Sequence, residues 1–90
     1  DQSDLTVIDP VNGAGSALTQ EDLNLLQPGD MMYFFSEGAP GKAPTHVGMY
    51  LGGTQMIHAP NSRKNIETIS MEGYYMGGGA LYYGSRRVQG

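Results

Sequence analysis

Two histidines, His46 and His58, are the only imidazoles in a chain of 90 residues, and they stand twelve positions apart. Imidazole is the side chain whose charge changes nearest neutral pH, so it can act as general base, as the group that orients a base, or as a metal ligand. Thr45-His46-Val47-Gly48-Met49-Tyr50-Leu51 and Gln55-Met56-Ile57-His58 read as two short strands, joined by Gly52-Gly53-Thr54 with its permissive backbone. If the turn is a three-residue loop, His46, Gly48, Tyr50, Met56 and His58 share one face, and Val47, Met49, Leu51 and Ile57 share the other. A two-residue loop puts the histidines on opposite faces. The aliphatic odd-numbered set favours the first register, because it gives the sheet one clean apolar side. In that register Gly48 leaves room beside both rings for another group to approach.

What the pair does depends on what accompanies it. The plain alternative is two hydrogen-bonded strand residues with no chemistry at all. A zinc site takes three or more ligands. With no cysteine in the chain, carboxylates such as Asp30 or Glu67 would have to complete it, so no metal and no other cofactor is expected. A base with its orienting partner needs a nucleophile, and the usual partner of a histidine pair, cysteine, is missing. Composition narrows the partners further. Nine acidic against five basic residues give a net charge of −4, which argues against nucleic acid or an anionic membrane surface. No apolar run approaches the roughly 20 residues of a membrane span, and no signal peptide is recognisable. The absence of cysteine excludes a disulfide scaffold.

The elements that must position the histidines follow from turn chemistry. Residues 1–16, ending Asp9-Pro10-Val11-Asn12-Gly13-Ala14-Gly15-Ser16, are polar and turn-rich and read as a loop or linker in which only Leu5-Thr6-Val7-Ile8 is strand-like. Residues 17–90 form the one small domain. Thr19 followed by Gln20-Glu21-Asp22 is a helix-start signal, with a carboxylate three residues on. Gln27-Pro28-Gly29-Asp30 stops that helix after a turn or two and launches Met31-Met32-Tyr33-Phe34-Phe35, an apolar run suited to a central strand covered on both faces. Beyond the histidine hairpin, Pro60-Asn61-Ser62-Arg63-Lys64-Asn65 reads as a solvated turn or as a rim touching an anionic substrate, with Ser62 and Arg63 the contacts. Ile66–Ser70 and Ala80–Val88 are further strands, the last bent or bulged at Gly84. The expected class is α+β, a mostly antiparallel sheet of about five strands.

Taken together and in order, Leu26-Gln27-Pro28-Gly29-Asp30 before an aromatic strand, Thr45-His46-Val47-Gly48-Met49-Tyr50-Leu51-Gly52, Met56-Ile57-His58-Ala59-Pro60 and Arg86-Arg87-Val88 strongly resemble the NlpC family of bacterial cell-wall endopeptidases, including its usual histidine spacing. The resemblance covers residues from about 15 to 88. It implies a circularly permuted papain-like fold, in which a helix carrying a cysteine nucleophile packs on an antiparallel sheet. It also implies cleavage of peptidoglycan stem peptides between D-γ-glutamate and the following diamino acid, in a bacterial cell envelope or outside the cell. By the same resemblance His46 matches the general base and His58 the polar residue that orients it. The departure is the family's Asp-Cys-Ser-Gly segment, which precedes everything seen here and has no counterpart in this chain. The chain starts at Asp1 without an initiator Met, so it reads as a piece that begins after the nucleophile helix. On that reading it is inactive alone and pairs with the N-terminal segment carrying the cysteine, across the histidine-bearing face of the sheet. The competing readings are a cell-wall binding module that has lost its nucleophile and a metal site on His46 and His58.

Overall fold

A computed structural model describes residues 5–35, 44, 46–58 and 66–88. In chain order its elements are β1 (Leu5–Ile8), α1 (Gln20–Asn24), β2 (Met31–Phe35), β3 (His46–Gly52), β4 (Gln55–His58), β5 (Glu67–Ser70) and β6 (Leu81–Val88). The six strands form one antiparallel sheet in the order β1-β6-β2-β3-β4-β5. The sheet is one strand wider than the sequence suggests. Leu5–Ile8, read above as part of a linker, pairs with Ser85–Val88 and forms an edge of the sheet. Its own pattern is nearly featureless because half of it faces solvent: Leu5 and Val7 are exposed, and only Ile8 packs against the core. Among the described residues, no helix is long and apolar enough to cross a membrane.

The helix forms where its cap is encoded. Thr19 Oγ1 accepts the amide of Asp22 at 3.2 Å, and the Asp22 carboxylate accepts the Thr19 amide at 2.8 Å, a reciprocal capping box. The other oxygen of Asp22 takes the Val11 amide at 2.7 Å, tying the incoming loop to the helix start. The chain leaves the helix through Pro28-Gly29, with Gly29 at φ 99°, and enters β2 between β6 and β3 as the central position of its apolar run predicts. Coverage of β2 is unequal on its two faces. Met32 and Phe34 are fully buried, whereas on the opposite face Phe35 is buried and Met31 and Tyr33 are half-buried.

The buried face carries the core. Met32 and Phe34 of β2, Tyr50 and Met56 of the hairpin and Tyr82 of β6 meet Leu18, Leu23 and Leu26 around α1, and Met71, Tyr75 and Ala80 from the turn-rich segment 71–80. Burying each large apolar side chain stabilises the fold by about 1.5–3 kcal/mol. This is the histidine-bearing face, for which the sequence suggests cover by a partner; His46 at its end is half-buried, but most of the face is covered within the chain. The helix and the 71–80 segment cover it, and the aliphatic face is the more open one: Val47 and Leu51 are exposed, and Met49 and Ile57 half-buried. Gly84, at φ 140°, sits where the β2–β6 register shifts between Tyr33 and Phe34, so the bend read from the sequence is a bulge.

Asp30 is the anchor between loop and sheet. Its carboxylate is buried and accepts Arg87 Nε at 2.9 Å, Arg87 Nη2 at 2.7 Å and the Gln27 amide at 2.8 Å. Arg87 Nη2 also donates to the carbonyl of Leu25 at the helix C-cap. One guanidinium thus joins the end of α1, the Pro-Gly turn and the last paired strand.

Candidate active site

The hairpin sets the geometry of the histidine pair. Gly48 pairs with His58, Met49 with Ile57 and Tyr50 with Met56, and a bulge before Gly52 closes the turn through Gly52 (φ 108°) and Gly53 (φ 58°). Tyr50 braces this turn by donating its hydroxyl to the Gly53 carbonyl at 2.6 Å. The register is the one that places both histidines on one face, and it brings His46 Nε2 to 2.7 Å from His58 Nδ1 with the ring planes at 89°. The reason offered for that register is reversed, since the aliphatic set it isolates is the more exposed one.

The two rings differ in surroundings. His46 is half-buried and lines an open groove of about 480 Å³, together with Met31, Val47, Met49, Ile57 and Ile66. Burial holds the pKa of His46 below its ordinary value, and the neighbouring His58 adds to the effect, so the ring stays neutral and able to accept a proton near neutral pH. His58 is buried. Tyr75 packs beside both rings, nearly parallel to His46 at 6.2 Å between centroids, with its hydroxyl 3.4 Å from His58 Nδ1. Burial, reinforced by the nearby Glu67 carboxylate, pushes the phenol of Tyr75 up to about 12, so it keeps its proton. On the far side of His58, Glu67 Oε1 lies 3.5 Å from Nε2, an atom that is buried and makes no hydrogen bond among the described residues.

Of the residues singled out in the sequence, His46 and His58 come together, and Gly48 lies beside them along the groove. A Cβ on Gly48 would meet Met56 Sδ at 2.6 Å and the Ile57 carbonyl at 3.2 Å. Met56 thus excludes a side chain at position 48, and the glycine permits close packing of β3 on β4 while it lines the groove with both histidines. Ser62 and Arg63 lie outside the described residues. Only Glu67 of the two carboxylates approaches the histidines, Asp30 being held by Arg87, and no group of three or more metal-binding side chains occurs among the described residues. His46 Nε2 and His58 Nδ1 also point at one another, which leaves those two nitrogens sharing a proton rather than a cation. Tyr75 is a site residue that the sequence does not mark, since it is one of two adjacent tyrosines among the glycines of 71–80 and carries no periodic signal.

Comparison with known proteins places this arrangement. The model of the NlpC/P60 family matches residues 9–83. The chain is 38% identical over 74 residues to a gamma-DL-glutamyl hydrolase of Bacillus subtilis (strain 168), covering 82% of this chain and 17% of that protein. It is 36% identical over 58 residues to a gamma-D-glutamyl-L-lysine dipeptidyl-peptidase of the same organism, covering 64% of this chain and 18% of that protein. A crystal structure of an NlpC/P60 family protein from Bacillus cereus ATCC 10987 superposes with a TM-score of 0.58 at 32% identity, covering 84% of this chain and 23% of that one. The chain thus spans about a fifth of the length of the curated relatives it matches. Because the matched stretch runs through the capped helix, the Pro-Gly-Asp anchor and both histidines, the shared sequence is the framework of the site as well as of the sheet, and the chain belongs to the NlpC/P60 family.

Proposed function

We propose that this chain is the histidine-bearing part of a bacterial cell-wall cysteine peptidase that cleaves D-γ-glutamyl bonds to the following diamino acid in peptidoglycan stem peptides. The observation that carries the reading is the 2.7 Å contact between His46 and His58, with His46 held neutral. His46 is the general base and His58 the group that orients it. The nucleophile is a cysteine on an N-terminal segment of the same circularly permuted papain-like domain, absent from these 90 residues. His46 takes the thiol proton, the thiolate attacks the γ-carbonyl carbon, and the amine of the next residue leaves with a proton returned from the imidazolium. The names of the relatives support the bond class. The groove along Met31, Val47, Met49 and Ile57 offers an apolar wall for the stem, and Ser62 and Arg63 are proposed as its polar contacts. The compartment that holds this substrate is the cell envelope or the space outside it.

The test uses muropeptides and new amino termini as the readout. The 90-residue chain alone releases none, and the complete protein carrying the cysteine segment does. In that protein His46→Ala abolishes turnover, whereas His58→Ala lowers it and His58→Asn or His58→Gln lowers it least, since either amide can still accept an imidazole N–H. Turnover by the isolated chain, or equal and mild effects of both alanine variants, overturns the reading. A second reading, a cell-wall binding module without chemistry, is favoured by the absence of cysteine. It predicts that the chain sediments with purified peptidoglycan and that no variant of either histidine alters hydrolysis.

A further inference from the structure

The ring of His58 is buried, and its two nitrogens face different neighbours. Nδ1 meets His46 Nε2 at 2.7 Å, with the Tyr75 hydroxyl beyond at 3.4 Å. Nε2 makes no hydrogen bond among the described residues, and the carboxylate of Glu67 stands 3.5 Å away. That carboxylate belongs to the residue directly opposite His58 in the β4–β5 register. Glu67 from β5, His46 from β3 and Tyr75 from the 71–80 segment are the titratable groups described against this ring.

At 2.7 Å two neutral imidazoles share one proton, because neither two N–H groups nor two lone pairs can face each other at that distance. Only two arrangements satisfy this. In the first, His46 donates from Nε2, His58 accepts at Nδ1 and carries its own N–H on Nε2, and His46 keeps a free lone pair on Nδ1. In the second, His58 donates from Nδ1 and turns an Nε2 lone pair toward Glu67, while His46 carries its N–H on Nδ1 and cannot accept a proton there. A carboxylate only accepts, so it favours the first arrangement and opposes the second. A buried N–H without a partner is costly, and the exposed Glu67 side chain needs only a small rotation to bring 3.5 Å into hydrogen-bond range.

We propose that Glu67 is a positioning residue whose carboxylate holds His58 as the Nε2–H tautomer and thereby leaves Nδ1 of His46 as the proton-accepting atom. The inference rests on the peptidase reading only for the use made of that atom. The tautomers themselves can be read without any activity. In the ¹⁵N-labelled 90-residue chain, long-range ¹H–¹⁵N spectra at a pH where both rings are neutral should show Nε2–H for His46 and for His58. Glu67→Ala should convert both rings together to a tautomer mixture with the backbone amide spectrum otherwise unchanged, and Glu67→Gln, which retains an acceptor oxygen, should restore the Nε2–H form. An Nδ1–H tautomer of His58 in the parent chain, or populations indifferent to Glu67→Ala, overturns the proposal. In the complete protein Glu67→Ala should lower kcat by about tenfold with KM unchanged, the order expected when an outer partner that fixes a histidine's tautomer is lost while the base and its orienting ring remain. Tautomers that respond to Glu67 in a protein whose turnover ignores His46→Ala would uphold this inference and defeat the peptidase reading instead.

Discussion

Asp30 and Glu67 both face side-chain nitrogens, and they are built in opposite ways. Asp30 is 2% exposed and its two oxygens take three N–H groups, two from Arg87 and one from the Gln27 amide. The Glu67 side chain is 55% exposed and approaches one nitrogen of His58, at 3.5 Å. A buried, saturated carboxylate holds distant parts of the chain together, because losing it strands several donors at once. A loose, exposed one contributes little to folding and acts only by deciding where its neighbour keeps a proton. Stability and proton position are therefore assigned to separate acids, which makes them separable by mutation.

The largest effect is expected from breaking the first of them. Asp30→Ala should cost about 3 kcal/mol of unfolding free energy in denaturant titration, since the Arg87 fork and the Gln27 amide lose their acceptor together. A loss below about 1 kcal/mol would reduce the anchor to an ordinary surface ion pair. Acid should act on the same group. Burial alone would raise the pKa of Asp30, but the Arg87 hydrogen bonds, the Gln27 amide and the Arg87 charge outweigh it and leave the carboxyl below its ordinary value. With the folded pKa depressed, its contribution is fully present above the unfolded value of about 3.9 and disappears as the pH falls through the lower folded value. Stability of the parent chain should therefore fall more steeply than that of Asp30→Asn below about pH 4, and parallel pH curves would contradict this.

Smaller effects sharpen the other side of the comparison. Tyr75→Phe keeps the ring against Phe34, at 4.7 Å between centroids, and removes only a hydroxyl 3.4 Å from His58, so it should cost about 1 kcal/mol or less. Glu67→Ala should leave the unfolding midpoint within about 0.5 kcal/mol of the parent, even though it alters the histidine tautomers. A loss as large as that of Asp30→Ala would make Glu67 a structural residue like its counterpart.

The two faces of the hairpin show how far sequence alone carries. Val47, Met49, Leu51 and Ile57 form the more hydrophobic set, yet Gly48, Tyr50, Met56 and His58 are the ones buried. Alternation says which residues share a face and is silent on which face a neighbouring layer will cover when both are apolar enough to be buried. The choice falls to Leu18, Leu23 and Leu26 around α1 and to Met71, Tyr75 and Ala80, which all pack on one side. Segment 5–8 was equally illegible, because an edge strand needs only a partner with free backbone groups and leaves little hydrophobic signature.

What the sequence determined by itself is local. The Thr19–Asp22 cap and the stop at Pro28-Gly29 follow from turn and cap chemistry acting over a few residues. The turn glycines, by contrast, admit two hairpin registers, and the packed sheet selects the one that brings His46 to His58. The family resemblance likewise rests on short segments, Leu26–Asp30, Thr45–Gly52, Met56–Pro60 and Arg86–Val88. The tertiary structure alone decided the contacts that span long stretches of chain. Arg87 reaches Asp30 across 57 positions, Tyr75 reaches His58 across 17, and Glu67 faces His58 through the pairing of β4 with β5. No periodicity encodes such meetings, since they arise from strand order and from the layer that packs on the sheet.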